Sequence, residues 1–195
     1  NMSFASSALA AVSTIRDRHP DAEIDFLIKP FAQRIEAVAT GEADLALIRG
    51  RLEFDGLFLD PLWIEQPVVA FSPKHPLAKL GRPPKPAELA EYPLILPSIE
   101  KQRLLHNLVE RAFAKAGVTA TLGPEIREDH PVSFELVNHP DSWTIVYEDM
   151  KQPGIISRHN PAFTLTVSAA LRVDAEPNPL VADLLTALSG GHRRH

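Results

Sequence analysis

Two serine-bearing junctions carry the clearest chemical signal in the chain. Ser6 and Ser7 precede an apolar pattern at helical spacing, and Ser98 precedes another. At such junctions unpaired backbone N–H groups and the positive end of the helix dipole favour an anion. Ser7 reads either as a ligand contact or as a plain N-cap. Behind Ser98 come Lys101, Gln102 and Arg103. Arg103 could bind a carboxylate through two parallel hydrogen bonds, or it could lie solvated on the polar face of its helix. Arg49 follows a strand-like segment and could charge-match the same acid, or it could pair with a surface carboxylate such as Glu53. Phe31 would narrow a pocket or stack on an aromatic ring, unless it opens a core stripe. His130 follows a strand-like segment that ends near Arg127, at the edge where ligands are expected.

The remaining chemistry is narrowed by exclusion. The chain has no cysteine, which removes disulfides, thiolate metal sites and cysteine nucleophiles and fits a reducing cytoplasm. Its histidines show no His-x-x-x-His spacing, and four of them, His19, His75, His130 and His139, precede proline. No nucleophile elbow, phosphate-cradling glycine loop or dinucleotide fingerprint occurs. The expectation is therefore no catalytic residues, no metal and no cofactor. Glu128-Asp129 and Glu148-Asp149 are adjacent pairs and read as solvated. Lys and Arg number 20 against 25 Asp and Glu, a net charge of −5, so this segment lacks the basic excess of a DNA-binding surface. No apolar run approaches the ~20 residues of a membrane span, and no secretory signal is visible at the start.

These residues need elements to hold them, and the pattern alternates strand-like and helix-like segments, predicting an α/β fold. Ala8, Leu9, Val12 and Ile15 mark a first helix that Pro20 ends. Ala22 to Ile28 reads as a buried strand. Phe31, Ile35, Val38 and Ala39 form a second helical stripe, closed by Gly41. Asp44 to Ile48 is a third strand-like segment, counting one at the very start of the chain. The apolar stretch from Leu57 to Phe71 contains Pro61 and Pro67, so it cannot be one central strand throughout. Leu94 to Leu96, Leu122 to Arg127, Trp143 to Tyr147 and Phe163 to Leu171 read as further strands. Leu104 to Ala116 is an amphipathic helix capped by Gly117, and Pro179 opens the last helix. Crossings near residues 66–70 and 162–168 imply a discontinuous first lobe of residues 1–67 and 166–195 and a second lobe of 68–165. Ligands would then fall in the cleft at the strand carboxyl ends, where Ser6/Ser7 and Ser98 could clamp an anion from both sides.

That order of elements carries recognisable phrases. Arg18-His19-Pro20-Asp21-Ala22-Glu23-Ile24 is followed by Gly41-Glu42-Ala43-Asp44-Leu45-Ala46-Leu47-Ile48. Val69-Ala70-Phe71-Ser72-Pro73-Lys74-His75-Pro76-Leu77-Ala78 comes next, then Glu88-Leu89-Ala90-Glu91-Tyr92-Pro93-Leu94-Ile95. Together they resemble the effector-binding domain of LysR-type transcriptional regulators across roughly residues 18–96. The resemblance implies a two-lobed fold of the type II periplasmic-binding-protein kind, each lobe a mixed, mostly parallel sheet flanked by helices. It also implies an effector-sensing domain in the cytoplasm that takes a small anionic or aromatic-derived molecule. Such a domain forms a homodimer or tetramer and meets DNA only through an N-terminal winged helix-turn-helix domain that this chain lacks. Relatives place a small hydroxyl residue where Phe31 stands. A transporter's solute-binding protein and an enzyme on the same fold are the alternatives.

Overall fold

The computed structural model describes residues 4–51, 53–127, 129–147 and 153–190, the side chains of Ala5 and Ser6 excepted. Along the chain run α1 (Ala5–Arg18), α2 (Phe31–Thr40), β1 (Ala46–Arg49), β2 (Leu57–Glu65), β3 (Val68–Phe71), α3 (Pro86–Leu89), α4 (Ile99–Lys115), α5 (Val132–Asn138), β4 (Trp143–Val146), β5 (Ile156–His159), β6 (Leu165–Arg172) and α6 (Pro179–Gly190). A 3₁₀ turn covers Pro76–Lys79. The chain divides into two compact units, Asn1–Glu65 with Thr166–His195, and Gln66–Leu165.

In the first unit the strands lie in the order β1-β6-β2, with β1 and β6 antiparallel and Ala46 opposite Ala170. Alternation along β6 sends successive side chains to opposite faces. Val167, Ala169 and Leu171 pack with Phe4, Ala11, Leu62, Trp63 and Leu188, the side of α1 and α6. Ala170 packs with Ile35, Val38, Ala46 and Ile48, the side of α2. Both faces are thus covered, which is why six of the eight β6 residues are buried, Ser168 among them. Gly41 closes α2 with φ +79°, and a Cβ there would come within 2.7 Å of Arg172 Nη1. Asn178 caps α6 by accepting the Leu180 N–H at 2.9 Å. Pro61 sits inside β2, which it can do because β2 is an edge strand of this order.

In the second unit β3 is central in the order β4-β3-β5, and both pairings are antiparallel. Every β3 residue is buried. Val69 and Phe71 join Leu105, Leu108, Val109 and Phe113 of α4 on one face, while Val68 and Ala70 join Leu136 of α5 on the other. In the larger cluster Phe113 stacks on Trp143 at a centroid distance of 5.8 Å, and the Phe163 ring lies tilted 6.3 to 6.5 Å from both.

The expectation of mostly parallel sheets is corrected: the ladders described are antiparallel. The segments that would have supplied parallel neighbours do not form ladders. Among the described residues, single parallel bridges join Leu94 to Leu122 and to Trp143. Ala22 to Ile28 is irregular, and Phe26, Leu27 and Ile28 are 54%, 44% and 68% exposed rather than buried. A strand needs a neighbouring strand to bond to as well as apolar side chains, and this segment has no paired strand among the described residues. Leu122 to Arg127 likewise holds one bridge instead of a strand.

Candidate functional site

The second unit builds a cavity of about 420 Å³ lined by Ser98, Lys101, Glu125, Ile126, Arg127 and Asp129. Two neighbouring segments bring these residues together. Leu94 accepts the Gly123 N–H at 2.8 Å, and Leu96 accepts that of Ile126 at 2.9 Å, so residues 122–126 run beside 94–96. The approach is close: a Cβ on Gly123 would lie 3.0 Å from Ile95 Cγ2 and 3.1 Å from Pro93 Cβ. Both segments then leave on the same side, one into Ser98 and α4, the other into Arg127 and Asp129. His106 Nε2 lies 2.8 Å from the Pro97 carbonyl and fixes the turn that presents Ser98.

Ser98 is the N-cap of α4. Glu100, in the first turn, has its carboxyl pKa lowered, chiefly by its own backbone N–H and then by the Ser98 hydroxyl, with help from Arg103 and His106. A negative charge at this terminus is therefore favoured, as the helix dipole requires. Across the cavity Arg127 grips Asp129 with Nε–Oδ1 at 3.2 Å and Nη2–Oδ2 at 3.1 Å. That bond holds Asp129 below the usual carboxylate range and raises Arg127. The lining thus offers two cations and two carboxylates to a small polar molecule.

Of the residues singled out from sequence, Ser98 lines this cavity and Lys101 stands beside it. Gln102 and Arg103 do not line it. Gln102 instead takes the non-helical kink of α4, with φ −131° and ψ 40°, and Arg103 is exposed. His130 lies next in sequence to Asp129 but turns to Glu135, with Nδ1 2.5 Å from Oε1. Its ring meets the Phe134 ring at 4.9 Å. Arg127 and the acids Glu125 and Asp129 were not anticipated, although Arg127 closes the strand-like run that pointed towards His130.

The first unit holds the other candidates. Ser6 and Ser7 are the second and third residues of α1, and the N-cap is Phe4, so neither is a cap. The Ser6 side chain lies outside the described residues. Arg49 is paired with a carboxylate, that of Glu65, through Nε–Oε2 and, at 3.0 Å, Nη2–Oε1. Phe31 is no core residue: it is 40% exposed, with the Phe54 ring 6.4 Å away. Beside it Arg34, unforeseen, lies 5.8 Å from the Phe31 centroid and donates to the Leu47 carbonyl at 2.7 Å. Burial first, and the charge of Arg49 second, lower its pKa, so Arg34 is a partly desolvated cation. Its position on the otherwise apolar stripe of Phe31, Ile35 and Val38 was the available signal.

Among the described residues no helix is long and apolar enough to cross a membrane, and no group of His, Asp and Glu could hold a metal ion. Solved structures of LysR family regulators share this fold. A LysR family transcriptional regulator from Pseudomonas aeruginosa superposes with TM-score 0.71 at 14% identity, over 93% of this chain and 65% of that one. The effector-binding domain of QuiR in complex with shikimate gives 0.70 at 18%, over 95% and 90%. Full-length CbnR complexed with its target DNA gives 0.68 at 17%, over 91% and 62%. This chain therefore spans about two thirds of the length of the longer regulators. No curated protein sequence matches it. The sequence model of the LysR substrate binding domain matches residues 2–192, and the chain belongs to that family. By that match it is the substrate-binding, that is effector-binding, domain of a LysR-type regulator.

Proposed function

We propose that this domain senses a small carboxylate bearing hydroxyl or amino donors and thereby controls DNA binding by the regulator of which it forms part. The observation that carries this reading is the cavity at the start of α4, where Ser98, Lys101 and Arg127 meet Glu125 and Asp129. A carboxylate would be drawn to Lys101 and the helix terminus, and donor groups would meet Glu125, Asp129 being already held by Arg127. The shikimate in the QuiR structure is a ligand of that protein; here it serves as a sensible first probe. Binding alone shifts nothing, so control of DNA requires that the effector prefer one arrangement of the full regulator. A homodimer or tetramer in the cytoplasm belongs to the same reading, and sedimentation of the domain tests the assembly.

The test is a thermal-shift and calorimetric panel of hydroxylated acids, amino acids and dicarboxylates, each paired with its neutral amide. An acid should stabilise the domain, its amide should not, and Lys101→Gln with Arg127→Gln should weaken the acid at least tenfold. If no acid stabilises the domain, or if the double variant binds as tightly as the parent, the assignment of this cavity fails.

A further inference from the structure

A second cavity of the same unit, about 530 Å³, opens along a different stretch of α4. Its lining includes Leu108, Arg111, Ala112, Lys115 and Ala116 of the helix, together with Ala162. The positions 108, 111, 112, 115 and 116 share one helical face. Alanine at 112, 116 and 162 leaves open a space that a longer side chain would fill, and Leu108 gives the groove an apolar base. Arg111 and Lys115 are exposed at its border. Neither has an ion-pair partner among the described residues, and Arg111 only reaches back to the Asn107 carbonyl at 3.3 Å. Like charges four residues apart on a helix repel, and an anion between them would relieve that repulsion.

The contrast with the first cavity decides the ligand class. There two cations are matched by Glu125 and Asp129, whereas the second lining carries two cations and no acid. From this we infer a second binding site, one that takes a small amphiphilic carboxylate. Its apolar body lies on Leu108 and the alanines, and its carboxylate bridges Arg111 and Lys115. The volume is that of a small-molecule pocket. This site stands independently of the function assigned to the cavity at Ser98.

Octanoate is a suitable probe, with octanol and inorganic phosphate as controls, followed by amide chemical shifts of the 195-residue chain. Octanoate should move the amides of Ala112, Ala116 and Ala162 and bind at least tenfold more tightly than either control. Arg111→Gln with Lys115→Gln, at exposed positions, should weaken octanoate at least tenfold and leave octanol unchanged. Ala112→Leu should abolish the response, and the double variant decides the matter should the leucine disturb folding. The inference is overturned if the double variant binds octanoate as the parent does. It is equally overturned if phosphate binds as tightly as octanoate, or if the shifts centre elsewhere.

Discussion

Replacing Glu65 by glutamine keeps the side chain's shape and removes the charge that balances Arg49. The Arg49 side chain is 7% exposed and that of Glu65 22%, and the Arg49 guanidinium also lies 4.3 Å from the centroid of the Phe4 ring. Leaving one member of a buried pair without its partner costs about 3–5 kcal/mol. The partial exposure of Glu65, the amide oxygen retained in glutamine and the Phe4 contact all reduce that figure, to about 2–3 kcal/mol. At this chain length each kcal/mol shifts the melting temperature by about 2–4 °C, so Glu65→Gln should melt roughly 4–12 °C lower. Urea unfolding followed by circular dichroism measures the free energy directly. Arg49→Met removes the buried charge at its source, and the double variant should lose at least about 1.5 kcal/mol less than the sum of the two single changes. A Glu65→Gln protein within about 0.5 kcal/mol of the parent, or strict additivity in the cycle, would refute the view that this pair compensates a buried charge.

Two further outcomes follow from the second unit. His75 is buried between Phe71 and Tyr92, and its Nδ1 accepts the Leu77 N–H at 3.0 Å. Burial lowers its pKa, opposed by the nearby Asp141, so the folded state holds the neutral ring and the unfolded state binds the proton more readily. Stability from this group is complete above the unfolded value of about 6.5 and declines as pH falls below it. The melting temperature should drop between pH 7 and 5, and the drop should be smaller in His75→Phe; equal slopes would remove His75 from the explanation. Gly123→Ala should destabilise the unit by about 1–3 kcal/mol, because the new methyl meets Ile95 and Pro93 at 3.0 and 3.1 Å. A neutral result in the same urea assay would show that these neighbours yield.

Helices were the legible part of the sequence. Ile15, Val38, Leu105 and Leu188 announce their faces by spacing alone, and Pro20, Gly41 and Pro179 mark ends whose chemistry is local. Strands were less legible, because a strand is defined by a partner elsewhere in the chain. Phe26-Leu27-Ile28 has the composition of a buried strand and remains exposed without one. The short α5 went unrecognised because seven residues give too few turns for a period to show, and Pro131 suggested a loop. β5 is half-exposed and carries Arg158 and His159 among few apolar residues. For the site, Ser98 was visible as a cap ahead of a strong helix. Arg127 was not, because its placement depends on the backbone bond from Ile126 to Leu96.

Pro61 has a consequence beyond its effect on the pairing of β2. A nine-residue edge strand that also exposes Phe58 and Ile64 is the kind of surface on which separate chains stack into aggregates. Proline interrupts the row of amide donors near its middle, and Asp60 beside it adds a charge that a growing stack would have to accommodate. The residue that made this stretch hard to read as a strand thus helps keep concentrated protein in solution.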